Sequence, residues 1–193
     1  IKTDDYGRIY VDPNTNTVTL DPDTWIYGGN TEAKSRLGWS NNFSFKGVNL
    51  SVLIDARIGG RGVSATQAML DRFGVSKNSA DARADGGVWI SADQKLPDVK
   101  TFYANNGNGM SMLANYVYDM TNIRLREVSL GYDLPTSWFK DKVGMSVSVV
   151  GRNLWMIYNK APFDPELTAS TGTYYQGIDY FMQPSTRNIG FSV

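Results

Sequence analysis

The chemistry open to this 193-residue sequence is that of carboxylates, amides, hydroxyls and cationic side chains, because it contains neither histidine nor cysteine. Thiolate nucleophiles, Ser/His/Asp relays, imidazole bases and the usual zinc ligands are excluded with them. Asp164 and Glu166 flank a proline in a DPE triplet, the kind of carboxylate pair a glycoside hydrolase uses, but no second constellation supports them. Asp12, Asn14, Asn16 and Asp23 occupy positions one, three, five and twelve of an EF-hand-like loop. Thr17 replaces the glycine that loop requires and its last ligand is Asp rather than Glu, which argues against calcium. Asp55, Arg57 and Arg152 fall on the polar side of alternating segments, where they can contact a ligand or pair with other buried polar groups. Tyr174, Tyr175, Tyr180 and Phe181 lie close together; they can stack on sugar rings, pack their own loop or meet a partner protein.

Charge narrows the classes further. With 19 basic and 19 acidic residues, the chain lacks the positive footprint that phosphate contacts demand, so nucleic acid is set aside. No cofactor is expected. The absence of cysteine excludes a disulfide framework and selects no compartment. No apolar run approaches the ~20 residues of a transmembrane helix, and the opening IKTDDYGRIY carries no apolar core of a signal peptide. A mean hydropathy of -0.32 is equally what a barrel strand produces, because it offers lipid only every second side chain.

That alternation is the main organising feature. Residues 34–46 and 48–59 read as two strands meeting at Lys46-Gly47. Leu37, Trp39, Phe43 and Phe45 share one face of the first, opposite Gly38, Ser40, Asn42 and Ser44. The second directs Val48, Leu50, Val52, Ile54, Ala56 and Ile58 to the same side, with Leu53 the one apolar residue among its polar positions. Strict alternation over 123–134 places Arg124 and Arg126 in line with Val128, Leu130, Tyr132 and Leu134, beyond the apolar band. Further strands fall at 145–155 and 184–193. Several of these strands run to about a dozen residues, twice the ~5–6 of ordinary globular strands. Short turns alternate with long loops, about 60–118 and 156–183, as in barrels with short periplasmic turns and long extracellular loops. Within the first loop, Ser64 and Gln67 at capping-box spacing open a helix through Ala68, Met69, Leu70 and Phe73, closed by Gly74. SKNSADARADGGVW and YANNGNGMS read as loop, and the N-terminal stretch as two short β arms around Pro13 to Asn16. Trp39, Tyr132, Trp138 and Trp155 sit near strand ends, where membrane-interface aromatics are expected. The Asn42 and Asn49 sequons point to a strand face and are discounted as glycosylation sites. A soluble carbohydrate-binding β-sandwich, which also alternates, is the rival architecture.

Four motifs in order carry a family resemblance: GGNTEAKSRLGWSNNFSFKGVNLSVLIDARIGG, NIRLREVSLGYDLPTSWF, VSVVGRNLWMIYNKAPFDPEL and QPSTRNIGFSV. Together they resemble the C-terminal part of the SusC-like (SusC/RagA-type) TonB-dependent transporters of Bacteroidetes outer membranes. That resemblance implies an all-β fold, the last five or six antiparallel strands of a transmembrane barrel of about 22 strands with long extracellular loops. Nothing here resembles the family's N-terminal plug, and members commonly extend a few residues beyond the equivalent of Val193, so a longer native polypeptide is expected. The implied function is import, not catalysis: uptake of oligosaccharides, or of peptides, across the outer membrane of a Gram-negative bacterium. The implied partners are outer-membrane lipid, a SusD-like surface lipoprotein and, through the rest of the polypeptide, TonB. In the family the DPE belongs to a loop motif, which leaves no catalytic residue expected.

Overall fold

The computed structural model describes every residue except 1, 7, 16, 22, 24–26, 109–112, 141, 168, 170, 171, 173 and 174. In chain order the elements are β1 (Val11–Asp12), β2 (Thr17–Val18), β3 (Ser35–Phe45), β4 (Val48–Ile58), β5 (Arg61–Ser64), α1 (Ala65–Arg72), α2 (Lys77–Ala84), β6 (Val88–Trp89), β7 (Lys95–Leu96), α3 (Val99–Gly107), β8 (Val117–Asp119), β9 (Asn122–Leu134), β10 (Met145–Asn159), β11 (Ile178–Asp179) and β12 (Asn188–Ser192). They divide between two compact units.

One unit, Asn30–Arg61, Asp119–Leu167 and Gln183–Val193, holds a five-stranded antiparallel sheet in the order β12-β10-β9-β4-β3. Its first hairpin closes on Lys46 and Gly47, both at positive φ (49° and 82°), the two-residue turn whose twist matches paired strands. Gly47 is needed there twice over, since a Cβ would also lie 3.2 Å from the Asp133 carbonyl. Period-2 alternation then puts the large apolar residues of all five strands in register. Phe43, Leu50, Leu130, Val149 and Phe191 form one cross-strand row, and Trp39, Ile54, Leu125 and Trp155 another. The opposite face reads Ser44, Asn49, Gly131, Ser148 and Ser192 in one row, and Ser40, Leu53, Glu127, Arg152 and Asn188 in the next. Among the described residues the apolar side is left open: Leu37 is 57% exposed, Phe43 56% and Phe191 84%.

Three register shifts depart from strict alternation, the last of them between Met156 and Tyr158 of β10. Between Leu53 and Ile54 the β4–β9 register slips by one, leaving Arg126 as an extra residue of β9. A β-bulge of this kind turns every residue beyond it to the other face. Arg124 therefore stands opposite Asp55 on the polar face, not in line with Val128 as the even spacing suggests. β10 bulges at the same level, between Arg152 and Trp155, where Asn153 takes φ 51°. β10 continues to Asn159, four residues past the expected end, and β12 is shorter than 184–193.

The other unit comprises Ile1–Gly29, Gly62–Tyr118 and Thr168–Met182. β1 and β2 form a small hairpin, and β11 runs parallel to β5. Val18 and Leu96 form its buried apolar cluster, packed against Ile9, Val11, Ile90 and Phe102. Helix α1 forms where the capping spacing places it: Ser64 Oγ accepts the Gln67 amide at 3.0 Å. The stretches SKNSADARADGGVW and YANNGNGMS are only partly loop, because α2 occupies most of the first and α3 runs into the second. Both are short, α2 is largely polar and the apolar residues of α3 span a single turn, so their caps, Ser76 and Asp98, carry the signal instead. α1 and α3 approach so closely that a Cβ on Gly107 would lie 2.1 Å from the Ala68 carbonyl.

Ser64 does two jobs in this unit, since its hydroxyl also donates to the buried Asp179 carboxylate at 2.6 Å. Ser64→Ala removes a helix cap and strands a buried carboxylate oxygen together. The expected cost is about 2 kcal/mol, read as faster amide exchange in α1 with the five-stranded sheet unaffected.

Candidate functional site

The polar face of the five-stranded sheet concentrates the charged side chains of its unit. Nearer the short turns it is mostly small and neutral, a shallow groove of about 380 Å³ lined by Asn42, Ser44, Asn49, Ser51, Ser129, Ser148 and the Asp133 carboxylate among others. Toward the other end small residues give way to ions. Glu127 and Arg152 are direct cross-strand partners, and Arg152 Nε donates to the Glu127 carboxylate at 2.8 Å. Asp55 accepts from Arg126 at 2.5 Å.

The bulges bring strand and loop together. Arg124, whose side chain is 3% exposed, donates to Asp164 at 2.6 Å and to the Ser185 hydroxyl at 2.6 Å. Ser185 in turn donates through its hydroxyl and its amide to Asp164. Glu166 is held by Arg126 and lies 3.4 Å from Arg124, while Asn153 accepts from Arg126 at 3.1 Å. The DPE triplet is thus a clamp that fastens the loop after β10 to two arginines of β9. Its carboxylates are occupied by guanidinium groups, an arrangement that suits anchoring rather than acid–base chemistry. Sequence reading missed these contacts, since nothing in a period-2 pattern announces a bulge.

Burial acts to raise the Asp164 carboxyl, but hydrogen bonds from Ser185, the Glu166 amide and Arg124 outweigh it and hold the group below the usual carboxylate range. Asp119 is lowered to about 2, chiefly by the Thr121 hydroxyl, with burial opposing and the Thr121 amide and Lys160 assisting. Both folded values lie below the unfolded one of about 4. The stabilisation is therefore complete above that value and lost as pH falls through the folded pKa. Protection of the Thr121 amide, taken against the free-peptide exchange rate at each pH, is expected to hold down to about pH 4 and to fall toward pH 2; Asp119→Asn should abolish that fall.

The remaining sequence candidates scatter. Arg57 donates to the Thr31 carbonyl at 2.8 Å and to the Pro165 carbonyl at 3.4 Å. Asn49 donates to Asp133 at 2.8 Å, on the strand face rather than in a loop. Trp39, Tyr132 and Trp155 lie on the apolar face and are exposed, and Trp138 stands in the short 3-10 turn Thr136–Phe139, 69% exposed. Tyr158, paired with Ile123 on the same apolar face, is a further exposed aromatic that sequence reading passed over. In the other unit Tyr175, Tyr180 and Phe181 are exposed. Tyr180 and Phe181 meet edge to face with ring centroids 5.3 Å apart. Phe181 takes φ 51°, uncommon for an aromatic residue, and its amide donates to Thr66 Oγ1 at 2.7 Å. Tyr174 and Asn16 lie outside the described residues. Asp12 Oδ1 accepts the Asn14 amide within the β1–β2 turn, and Asp23 donates its amide to Asp21. Among the described residues no group of three or more His, Cys, Asp or Glu side chains is placed to hold a metal.

No protein-family model matches the chain. Among curated proteins, the TonB-dependent receptor P3 of Formosa agariphila is 26% identical over 194 residues, covering 96% of this chain and 18% of that protein. Among solved structures, the RagAB peptide importer in its closed-closed state matches with a TM-score of 0.57 at 18% identity, covering 94% of this chain and 20% of the importer chain. The chain therefore spans about a fifth of the length of these relatives. Sheet, register and structural neighbour agree on a predominantly antiparallel β fold of the kind found in outer-membrane barrel proteins. The resemblance to SusC/RagA-type TonB-dependent transporters, drawn from the four motifs, is borne out by both relatives, and with it the outer-membrane setting.

Proposed function

We propose that the protein carrying this chain is a TonB-dependent importer of oligosaccharides that works with a SusD-like surface lipoprotein, and that the chain supplies part of its barrel wall and extracellular loops. One observation carries the reading: a single-layer sheet with a continuous apolar face on one side and serine, glycine, asparagine and paired charges on the other. From Val48 to Ala56 the apolar band of β4 extends about 27 Å along the strand at ~3.4 Å per residue. Tilted by roughly 40°, that is ~20 Å of thickness, near the ~25 Å band of outer-membrane barrels. The polar face then lines the lumen, and Trp39, Tyr132, Trp138, Trp155 and Tyr158 meet the headgroup regions.

The remaining strands of a closed barrel, about 22 in all, and the segments that meet TonB belong to the rest of the polypeptide. Oligosaccharide is preferred to peptide because Tyr175, Tyr180 and Phe181 present exposed rings to stack on sugars. The relatives are a receptor and an importer by name, and a transport role without catalysis accords with the occupied DPE carboxylates. A soluble β-sandwich would need a second sheet over Leu37, Phe43 and Leu130, which are exposed. The test is extraction from source membranes: the protein should require detergent and migrate differently on gels with and without heating. Release by salt alone would overturn the proposal.

A further inference from the structure

The charge balance of the polar face is uneven, and the imbalance is local. Each carboxylate near the bulges is engaged: Asp55 and Glu166 by Arg126, Glu127 by Arg152, and Asp164 by Arg124. Arg36 and Arg57 are left over. They stand directly opposite each other across β3 and β4, on the polar face, because Leu37 and Ala56 beside them occupy the apolar one. Cross-strand partners have Cβ atoms about 4.5–5.5 Å apart, a spacing at which like charges destabilise a sheet.

Neither guanidinium forms an ion pair among the described residues. Arg57 is steadied by the Thr31 and Pro165 carbonyls, yet its Nε is buried without a partner. Arg36 is exposed. A buried donor without an acceptor carries a free-energy cost of its own, so two features that each weaken the sheet coincide at one cross-strand position. An oxyanion beside the two guanidinium groups would relieve the like-charge repulsion between them.

Resting on the importer reading, we infer that Arg36 and Arg57 form a subsite for the carboxylate of an acidic, uronate-containing oligosaccharide. Guanidinium forks match a carboxylate in a bidentate manner, giving orientation as well as attraction. One such subsite selects acidic over neutral sugars.

The probes are an oligogalacturonate and a neutral galactose oligomer of equal length, titrated calorimetrically against the full-length protein in detergent. The acidic oligomer should bind at least about 10-fold more tightly at low salt, and the advantage should shrink at high salt. It should vanish in Arg36→Gln/Arg57→Gln, which should retain the wild-type difference in heated and unheated gel mobility. Equal binding of both oligomers, an advantage that survives in the double variant, or no binding of the acidic oligomer would overturn the subsite. Preference for an acidic peptide over the oligogalacturonate would overturn it too. So would a lower melting temperature in Arg36→Gln with uronate affinity unchanged, which would assign Arg36 to a carboxylate elsewhere in the polypeptide. None of these outcomes bears on detergent extraction, so the subsite and the importer reading fail separately.

Discussion

Arg124→Met should cost about 3–5 kcal/mol, the penalty expected when one partner of a buried ion pair is removed. Arg124 is 3% exposed and Asp164 8%, so the substitution leaves a carboxylate away from water with its cation gone. The Ser185 hydroxyl and amide remain as donors to Asp164, but they carry no net charge. The measurement is the urea midpoint of the folded protein in detergent, together with protease cleavage between Lys160 and Gln183, where the loop should come loose. Arg124→Met/Asp164→Leu is the decisive companion, because removing both charges eliminates the uncompensated ion. It should recover most of the loss. If the double variant is as unstable as the single one, the pair does not act as a unit and the clamp is misassigned.

The clamp also shows where sequence reading stops. Alternation from Leu37 to Phe45 and from Val48 to Ile58 was legible because each strand has one greasy and one polar face, and a side-chain period of 2 leaves little freedom of register. The Lys46-Gly47 turn and the Ser64 cap were legible for a similar reason: a local backbone geometry demands particular residue types. The bulge at Arg126 was not. Its consequence, moving Arg124 to the polar face, depends on an Asp164 that lies 40 residues away and reaches it at 2.6 Å. Before the bulge is known, Arg124 in line with Val128 reads as a headgroup contact; afterwards it is the centre of a loop anchor. Helix α2 was hidden for a different reason, since eight residues with only alanines as apolar positions give no periodic stripe, and in α3 Val99, Phe102 and Tyr103 stand at helical spacing over a single turn, too short a run to read as a period. Pairing across the sheet likewise showed Arg36 opposite Arg57, which spacing along either strand alone does not reveal.

The second large effect tests which medium touches the apolar face. Val128 is one of the two central residues of its β9 face, between the rows of Leu130 and Leu125, and Met145 lies on the same face at the short-turn end, opposite Leu134. In an outer-membrane barrel, arginine on the lipid side costs about 2–4 kcal/mol at the midplane and about 0–1 near the interface. Val128→Arg should therefore lower the unfolding free energy in lipid vesicles by about 2–4 kcal/mol, and Met145→Arg by less than about 1. Water against this face would give a different profile, because exposed substitutions in a soluble protein stay within about 0.5 kcal/mol at either position. A protein core closed over the sheet would penalise both, since each would bury an unpaired charge. Only hydrocarbon produces a penalty graded by depth along one face of one sheet, so a flat result from the two arginines, cheap or costly, would remove the physical basis for a membrane wall.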